Sequence, residues 1–388
     1  MNSAVNIEDL KQLARQRVPR AIFDYIDGGS EAEVTLRDNR RVWDEVLFRP
    51  HQAVATPKVD LSTTVLGCKY SMPFLLAPVA FCRLFHPDGE LAVARAAGDA
   101  GIGYCQPSFS GYRVEETGPV SKAPLWYQLY LTGGRKVVEA TLDRVWRAGF
   151  KALAVTIDTN APGMREKDVR NGTAQLMSGN LFKMLPHLGQ VLARPTWLAR
   201  FLLDYPDVMK FANVLIPGKG PMGAVDVRQA LTDSVVTWED MQWIRKAWPG
   251  PVLAKGVLSG HDARRAMDEG CAGVIVSNHG GRQLDTCYPT LRALPEVVDA
   301  VNGRVEVLVD GGIRRGGDIL KALCMGANAV LVGRAYAYGL AGSGYPGVVK
   351  AISILKADLE RTMILLGCAS LKDLNSSFVD VPRSWDHR

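Results

Sequence analysis

The chain has 388 residues, enough for two average domains or one large barrel, and its 47% hydrophobic and 22% charged residues exclude a disordered protein. Lys and Arg number 46 against 40 Asp and Glu, a net charge of +6 that suits anionic ligands but includes no basic block of the kind nucleic acid requires. No run is apolar for long enough to span a bilayer, and the charged N-terminus, with Glu8, Asp9, Lys11, Arg15 and Arg17, does not read as a signal peptide.

Apolar runs of strand length recur at 73–78, 102–105, 125–130, 152–158, 252–255, 273–279, 305–310 and 329–333, each followed by a longer helical pattern. Buried strands alternating with amphipathic helices predict parallel βα units, and eight such units can close into a (β/α)8 TIM barrel. Gly101, Gly149, Gly270 and Gly326 each stand just before a run, where glycine supplies a left-handed helix C-cap. The gap between Asp158 and Val252 is too long for one helix, so a segment is inserted after strand four, at about 173–236.

Leu181, Met184, Leu185, Leu188, Val191 and Leu192 in that segment fall at helical spacing, followed by Trp197, Leu198, Phe201, Leu202 and Leu203. Lys183, Arg194, Arg200 and Lys210 interleave with them. An apolar stripe flanked by cations suits a membrane surface, and it suits a lid or subunit-contact helix equally well. The seven cysteines form no Cys-x-x-Cys pair and read as reduced thiols. The expected location is the cytoplasm, with peripheral contact at the inner face of the membrane as the open alternative.

Chemistry concentrates where strands end, because a strand buried on both faces offers its side chains to a ligand only at its C-terminal end. Residues 277–285 read Ser-Asn-His-Gly-Gly-Arg-Gln-Leu-Asp directly after an apolar run. His279 can exchange a proton near neutral pH and Arg282 can hold a carboxylate bidentately, a pairing that points to proton abstraction from a small acid. After the last two strands come Asp310-Gly311-Gly312-Ile313-Arg314 and Gly333-Arg334. Glycine there admits a phosphate close to the backbone and the arginines add charge, whereas glycines alone would serve only tight turns. No Gly-x-Gly-x-x-Gly follows the first strand, so a dinucleotide-binding fold lacks its fingerprint.

These two motifs resemble those of the FMN-dependent α-hydroxy-acid dehydrogenase and oxidase family, which includes L-lactate dehydrogenase, mandelate dehydrogenase and glycolate oxidase. The likeness extends through Phe23-Asp24-Tyr25, Leu76-Ala77-Pro78, Tyr127-Gln128-Leu129-Tyr130, Thr156-Ile157-Asp158, Gly163-Met164-Arg165 and Leu253-Ala254-Lys255-Gly256, and it covers nearly the whole chain. It implies a single FMN hydroxy-acid dehydrogenase domain over 1–388 that oxidises an (S)-2-hydroxy acid, lactate- or mandelate-like, to the 2-oxo acid. Electrons then go to quinone, an electron carrier or oxygen, and relatives of this kind are often homotetramers. No metal is implied.

By the same resemblance His279 is the base, for the α-proton or for the hydroxyl proton, with Asp158 orienting it and Tyr130 bonding the substrate oxygen. Tyr25, Arg165 and Arg282 would bind the substrate carboxylate, and two guanidinium groups with a phenol are the donors an anion needs once water is excluded. Lys255, buried inside an apolar run, requires an anionic partner, which in the family is the reduced flavin's N1–C2=O region. Gln128, Thr156 and Ser277 match positions that bond the isoalloxazine and ribityl groups. Ala77, Pro78 and Val79 would pass along one flavin edge, and Asp310, Gly312, Arg314, Gly333 and Arg334 would hold the ribityl phosphate.

Two positions depart from the pattern. Pro107 stands where relatives carry serine, so either Ser108 substitutes its hydroxyl or one flavin hydrogen bond is missing and the flavin's potential and oxygen reactivity differ, and Val79 stands where many carry threonine. Phe109 and Pro162 align with positions facing the substrate side chain and predict an aliphatic or aromatic substituent. Two other readings remain: the same site turned to an amine or a peptide-derived carbinol, or FMN kept only as a structural or regulatory ligand. The joint presence of His279, Asp158, Tyr130, Arg165 and Arg282 counts against the last.

Overall fold

Eight parallel strands close on themselves in chain order, each bonded to its sequence neighbours and the last to the first. The computed structural model describes residues 3–177, 181–216 and 218–385. The barrel strands are β1 (Phe74–Leu76), β2 (Tyr104–Pro107), β3 (Leu125–Leu129), β4 (Ala152–Thr156), β5 (Val252–Val257), β6 (Gly273–Val276), β7 (Glu306–Val309) and β8 (Ala329–Val332). Each lies within or overlaps one of the expected apolar runs, and β1, β2, β3, β4, β6 and β8 are buried at every residue. β5 continues past Lys255 through a bulge at Gly256, whose φ of +110° lets the Asp158 side chain lie against a backbone that has no Cβ.

Leu75, Trp126, Leu253, Ile275, Leu308 and Leu331 fill the lumen, so the barrel is a packed core and not a pore. A hairpin of Thr63–Val65 and Cys68–Tyr70 closes the N-terminal end, where Trp126 Nε1 donates to Tyr70 Oη at 3.1 Å. Ligands are therefore confined to the opposite end. The helices before β2, β4, β6 and β8 end on Gly101, Gly149, Gly270 and Gly326, with φ of 67°, 89°, 77° and 98°. The last helix, Arg334–Leu366, bends at Ser343 and Gly344 and packs against the N-terminal helix Ile7–Arg17.

The insertion lies between β4 and the helix Trp238–Ala247, which Thr237 caps at Asp240 N. Its first half is broken into short pieces, Leu181–Met184, Leu185–His187 and Leu188–Leu192, because Pro186 cannot donate within a continuous helix. Residues 178–180 and 217 of the expected insertion lie outside the described residues. The helix Pro195–Asp204 follows, and it buries no residue completely. A hairpin of Lys210–Ile216 and Gly220–Gly223, which hydrophobic spacing did not predict, then returns the chain to the barrel mouth. Among the described residues no helix is long and apolar enough to cross a membrane. None of the seven cysteines is in a disulfide.

Candidate active site

The loops after β7 and β8 meet at one side of a cleft over the C-terminal ends of the strands. Gly311 and Gly312 take φ of 99° and 78°, and a Cβ at Gly312 would collide with the Asn39 carbonyl and the Trp43 indole. Trp43 Nε1 donates to Gly311 O at 3.0 Å, which ties this turn to the helix Val34–Glu45. Arg334 donates only to the carbonyls of Ile26, Gly280 and Gly28, at 3.1, 2.8 and 2.9 Å. Burial, with Arg282 and Arg314 nearby, lowers its pKa to about 10. A guanidinium held this way is an anion site awaiting its charge, and Arg314 lines the same cleft.

Deeper in, Lys255 Nζ lies 2.8 Å from Ser277 Oγ and 3.2 Å from Asp310 Oδ2, and Ser277 Oγ donates to that same oxygen at 2.9 Å. The chain thus supplies the anionic partner that the resemblance assigned to the flavin, and Asp310 with Asp158 raises the lysine pKa against the opposing effect of burial. Asp310 Oδ1 is buried without a partner among the described residues. Gln128 Nε2 donates to Thr156 Oγ1 at 2.8 Å. Gly333 faces this space, since a Cβ there would stand 3.7 Å from both Ala77 and Val79 side chains.

At the other side, His279 follows β6 with φ of 58°, in the left-handed region that a non-glycine residue occupies only under constraint. Its Nδ1 is 3.2 Å from Asp158 Oδ1 and its Nε2 is 3.2 Å from Tyr130 Oη. A carboxylate at Nδ1 fixes the proton on that nitrogen and leaves Nε2 to accept. Burial works against the Asp158 charge, but His279 and Lys255 outweigh it and hold the carboxyl below its usual pKa range. Arg165 and Arg282 stack on Tyr25, with the guanidinium carbons 5.2 and 4.7 Å from the ring centroid. Arg165 is paired with Asp168 at 2.7 Å, whereas Arg282 donates to the Tyr25 and Gly28 carbonyls and has its pKa lowered by burial and by Arg165.

Residues 14–381 match the family model described as FMN-dependent dehydrogenase. The L-lactate oxidase of Nostoc sp. is 40% identical over 98% of this chain and 99% of its own length, and glycolate oxidase 1 of Zea mays is 39% identical over 98% and 96%. Among solved structures, the monotopic membrane protein (S)-mandelate dehydrogenase superposes with a TM-score of 0.89 at 34% identity, over 98% of this chain and 100% of that one. A mandelate oxidase superposes at 0.81 and 36%, over 97% and 98%. The chain belongs to the FMN-dependent dehydrogenase family. FMN is its cofactor, and the chain is an oxidoreductase.

The cleft suits FMN on its own geometry: Arg314 and Arg334 at the phosphate end, neither in an ion pair among the described residues, an orphaned Asp310 oxygen for a ribityl hydroxyl, and a glycine wall at Gly333. In this member of the FMN-dependent dehydrogenase family, every residue expected at the site lines the cleft except Asp158, Ser277, Ser108 and Pro162. Asp158 and Ser277 stand behind it, holding His279 and Lys255. Of the two alternatives at Pro107, the one that uses Ser108 is disfavoured: its hydroxyl donates to Gln128 O at 2.8 Å and accepts from Tyr130 N at 3.1 Å, so it braces β3. Pro162 is likewise absent from the cleft lining; its loop is tied to the cleft residue Gln283, which donates to Asp158 O and Ala161 O at 3.0 and 3.1 Å.

The substrate end has an aromatic wall of which the sequence disclosed only Phe109. Phe109 stacks on Tyr130 at 5.0 Å and meets Phe211 at 5.0 Å; Phe211 meets Phe81 at 4.7 Å, and Phe81 meets Tyr25 at 5.3 Å. Phe211 comes from the inserted hairpin, and Val227 and Leu231 from its next helix also reach the cleft. Their signal was weak, since a phenylalanine in a short irregular segment reads the same whether it packs on core or on substrate.

Proposed function

We propose that the chain, acting as one catalytic unit over 1–388, oxidises an (S)-2-hydroxy acid with an apolar side chain to the 2-oxo acid. The observation that carries this reading is the convergence of Tyr25, Arg165 and Arg282 on the same cleft as the His279–Tyr130 pair. The two guanidinium groups and the phenol hold the substrate carboxylate, and Tyr130 bonds the oxygen on the reacting carbon. His279 Nε2 takes up the proton, and Asp158 stabilises the imidazolium. The chemistry that bound FMN would supply is that of a two-electron acceptor, with quinone, a carrier or oxygen as the final oxidant. Arg314, Arg334, Gly312 and Gly333 receive its phosphate end, Asp310 its ribityl chain, and Lys255, Gln128, Thr156 and Ser277 its ring, with Ala77, Pro78 and Val79 along one edge.

The apolar substituent follows from Phe81, Phe109, Val227 and Leu231 in the cleft lining, with Phe211 packed behind Phe81 and Phe109. Anaerobic stopped-flow reduction of the flavin with (S)-mandelate, (S)-lactate, 2-hydroxyoctanoate, (S)-malate and benzylamine tests this. Apolar hydroxy acids should bleach the flavin at least about 100-fold faster than malate, since a second carboxylate would be buried unpaired. Faster bleaching by malate or by the amine would overturn it.

We also propose that the enzyme works at a membrane surface. Phe182 is 88% exposed, Leu202 62% and Leu203 88%, all on the insertion, and an apolar strip of this kind suits burial at the acyl boundary. The likeness to a monotopic membrane protein supports the same reading. A second apolar cluster, where Val54 adjoins the turn after Ile364 and Leu365, is 50%, 48% and 66% exposed and supports self-association as a homotetramer.

A further inference from the structure

Between the inserted helix Pro195–Asp204 and the short helix Cys82–Phe85 with its exit at His86 and Pro87 lies a second cavity of about 220 Å³, apart from the catalytic cleft. Its charged lining is Arg17, Arg83, His86, Arg200 and Asp204. Arg83 holds Asp204 bidentately at 2.6 and 2.5 Å and donates its remaining nitrogen to Gly111 O at 3.1 Å, so the one carboxylate in the lining is fully engaged. His86 is tied to Asp88, its Nδ1 accepting from Asp88 N at 3.3 Å. Arg17 and Arg200 have neither an ion pair nor a hydrogen bond among the described residues. Arg200 also lies close enough to His86 to help burial hold the imidazole neutral. The cavity therefore carries two guanidinium groups without an ion pair, on residues that also reach solvent, beside a space large enough for a phosphate and the glycerol ester behind it.

Its position decides what fills it. Trp197 Nε1 donates to Leu84 O at 3.0 Å and pins the inserted helix over the cavity, while Leu202, Leu203 and Tyr205 from the far end of the same helix and just beyond it stand 62%, 88% and 58% exposed. A basic hole beside an apolar strip matches a molecule with an anionic head and an apolar tail. We propose that this cavity binds the phosphate of an anionic phospholipid between Arg17 and Arg200 while Leu202 and Leu203 enter the acyl boundary. The assignment rests on the membrane reading above and gives that reading a specific receptor.

The FMN-loaded full chain is titrated with dihexanoylphosphatidylglycerol below its micelle concentration, with dihexanoylphosphatidylcholine and with inorganic phosphate, by calorimetry and Trp fluorescence. In parallel it is floated with phosphatidylcholine vesicles with and without 30% phosphatidylglycerol. Saturable binding is expected for the soluble phosphatidylglycerol, weakened at least tenfold in Arg17→Gln/Arg200→Gln, with flavin reduction unchanged. Leu202→Asp/Leu203→Asp should keep that binding and lose flotation. If inorganic phosphate binds as tightly, the cavity is a free-anion site and the lipid assignment fails. If vesicles float the protein but the arginine pair behaves like the charge-matched control Lys183→Gln/Lys210→Gln and soluble lipid does not saturate, the cavity fails and the membrane reading stands. No flotation of any form sinks the membrane reading, and the soluble-lipid titration still decides the cavity.

Discussion

His279 is held in a backbone conformation that costs an L-residue about 1–2 kcal/mol, and the surroundings that impose it are specific. Asn278 and Asn39 exchange side-chain amide bonds at 2.8 and 2.9 Å, and Ser277 Oγ accepts from His279 N at 3.2 Å. The strain aims Nε2 into the cleft. His279→Ala should slow flavin reduction by a 2-hydroxy acid by about 10²–10⁴-fold while the purified protein keeps its bound flavin spectrum, because a base acts on the chemical step and none of its contacts reaches the phosphate end. Reduction within tenfold of the parent would remove His279 from that role. Glu90 is the residue that the chemistry leaves unused. It is fully buried, neither carboxylate oxygen has a partner in good geometry, and burial pushes its pKa up to about 7, moderated by the nearby amides of Gly111 and Cys82 and by Arg83. An acid whose folded pKa is raised contributes most stability below its unfolded pKa and loses it as pH climbs to about 7. Glu90→Gln should therefore be the more stable protein at pH 8, by on the order of 3 kcal/mol, with the gap under about 1 kcal/mol at pH 5, read from denaturant midpoints. A gap independent of pH would show that Glu90 stays ionised.

The elements of the barrel owe their ends to glycine, but the glycines are not equivalent. Gly149 has φ of 89° and open space where a Cβ would go, so Gly149→Ala should cost only the left-handed penalty of about 1–2 kcal/mol and leave FMN bound. Gly312→Ala adds a clash with the Asn39 carbonyl, and it should release FMN and lower the melting temperature by clearly more than Gly149→Ala does; equal shifts would contradict the packing described. This difference also marks what can be read before folding. Strands such as Ala152–Thr156 were legible because burial on both faces forces every residue to be apolar, and His279, Arg282, Arg314 and Arg334 were legible because they follow such runs in fixed motifs. The alternatives at Ser108 were not separable in the sequence because whether a hydroxyl turns to the cofactor or to Gln128 O depends on β3, which is remote in sequence. The hairpin carrying Phe211 was illegible because its pairing, with an irregularity between Phe211 and Leu215, obeys no simple alternation. Asp285, at the end of the histidine motif, likewise turned out to receive Val34 N and Thr35 N at 3.2 and 2.8 Å, capping a helix some 250 residues upstream.

On the scale of the whole molecule, that helix, Val34–Glu45, clamps the two ends of the cleft together. Asp285 and Asn278 of the histidine loop hold its first half, and Gly311 of the phosphate loop takes the Trp43 indole proton from its second. Position of cofactor and position of base are thus set against one rigid rod. The insertion has a double allegiance of a different sort. One stretch of it puts Val227 and Leu231 in the cleft lining and Phe211 behind Phe109, while another, through Leu202 and Leu203, stands bare to the outside. Removing the insertion to obtain a better-behaved preparation would strip Val227 and Leu231 from the cleft and take away the ring that backs Phe81 and Phe109.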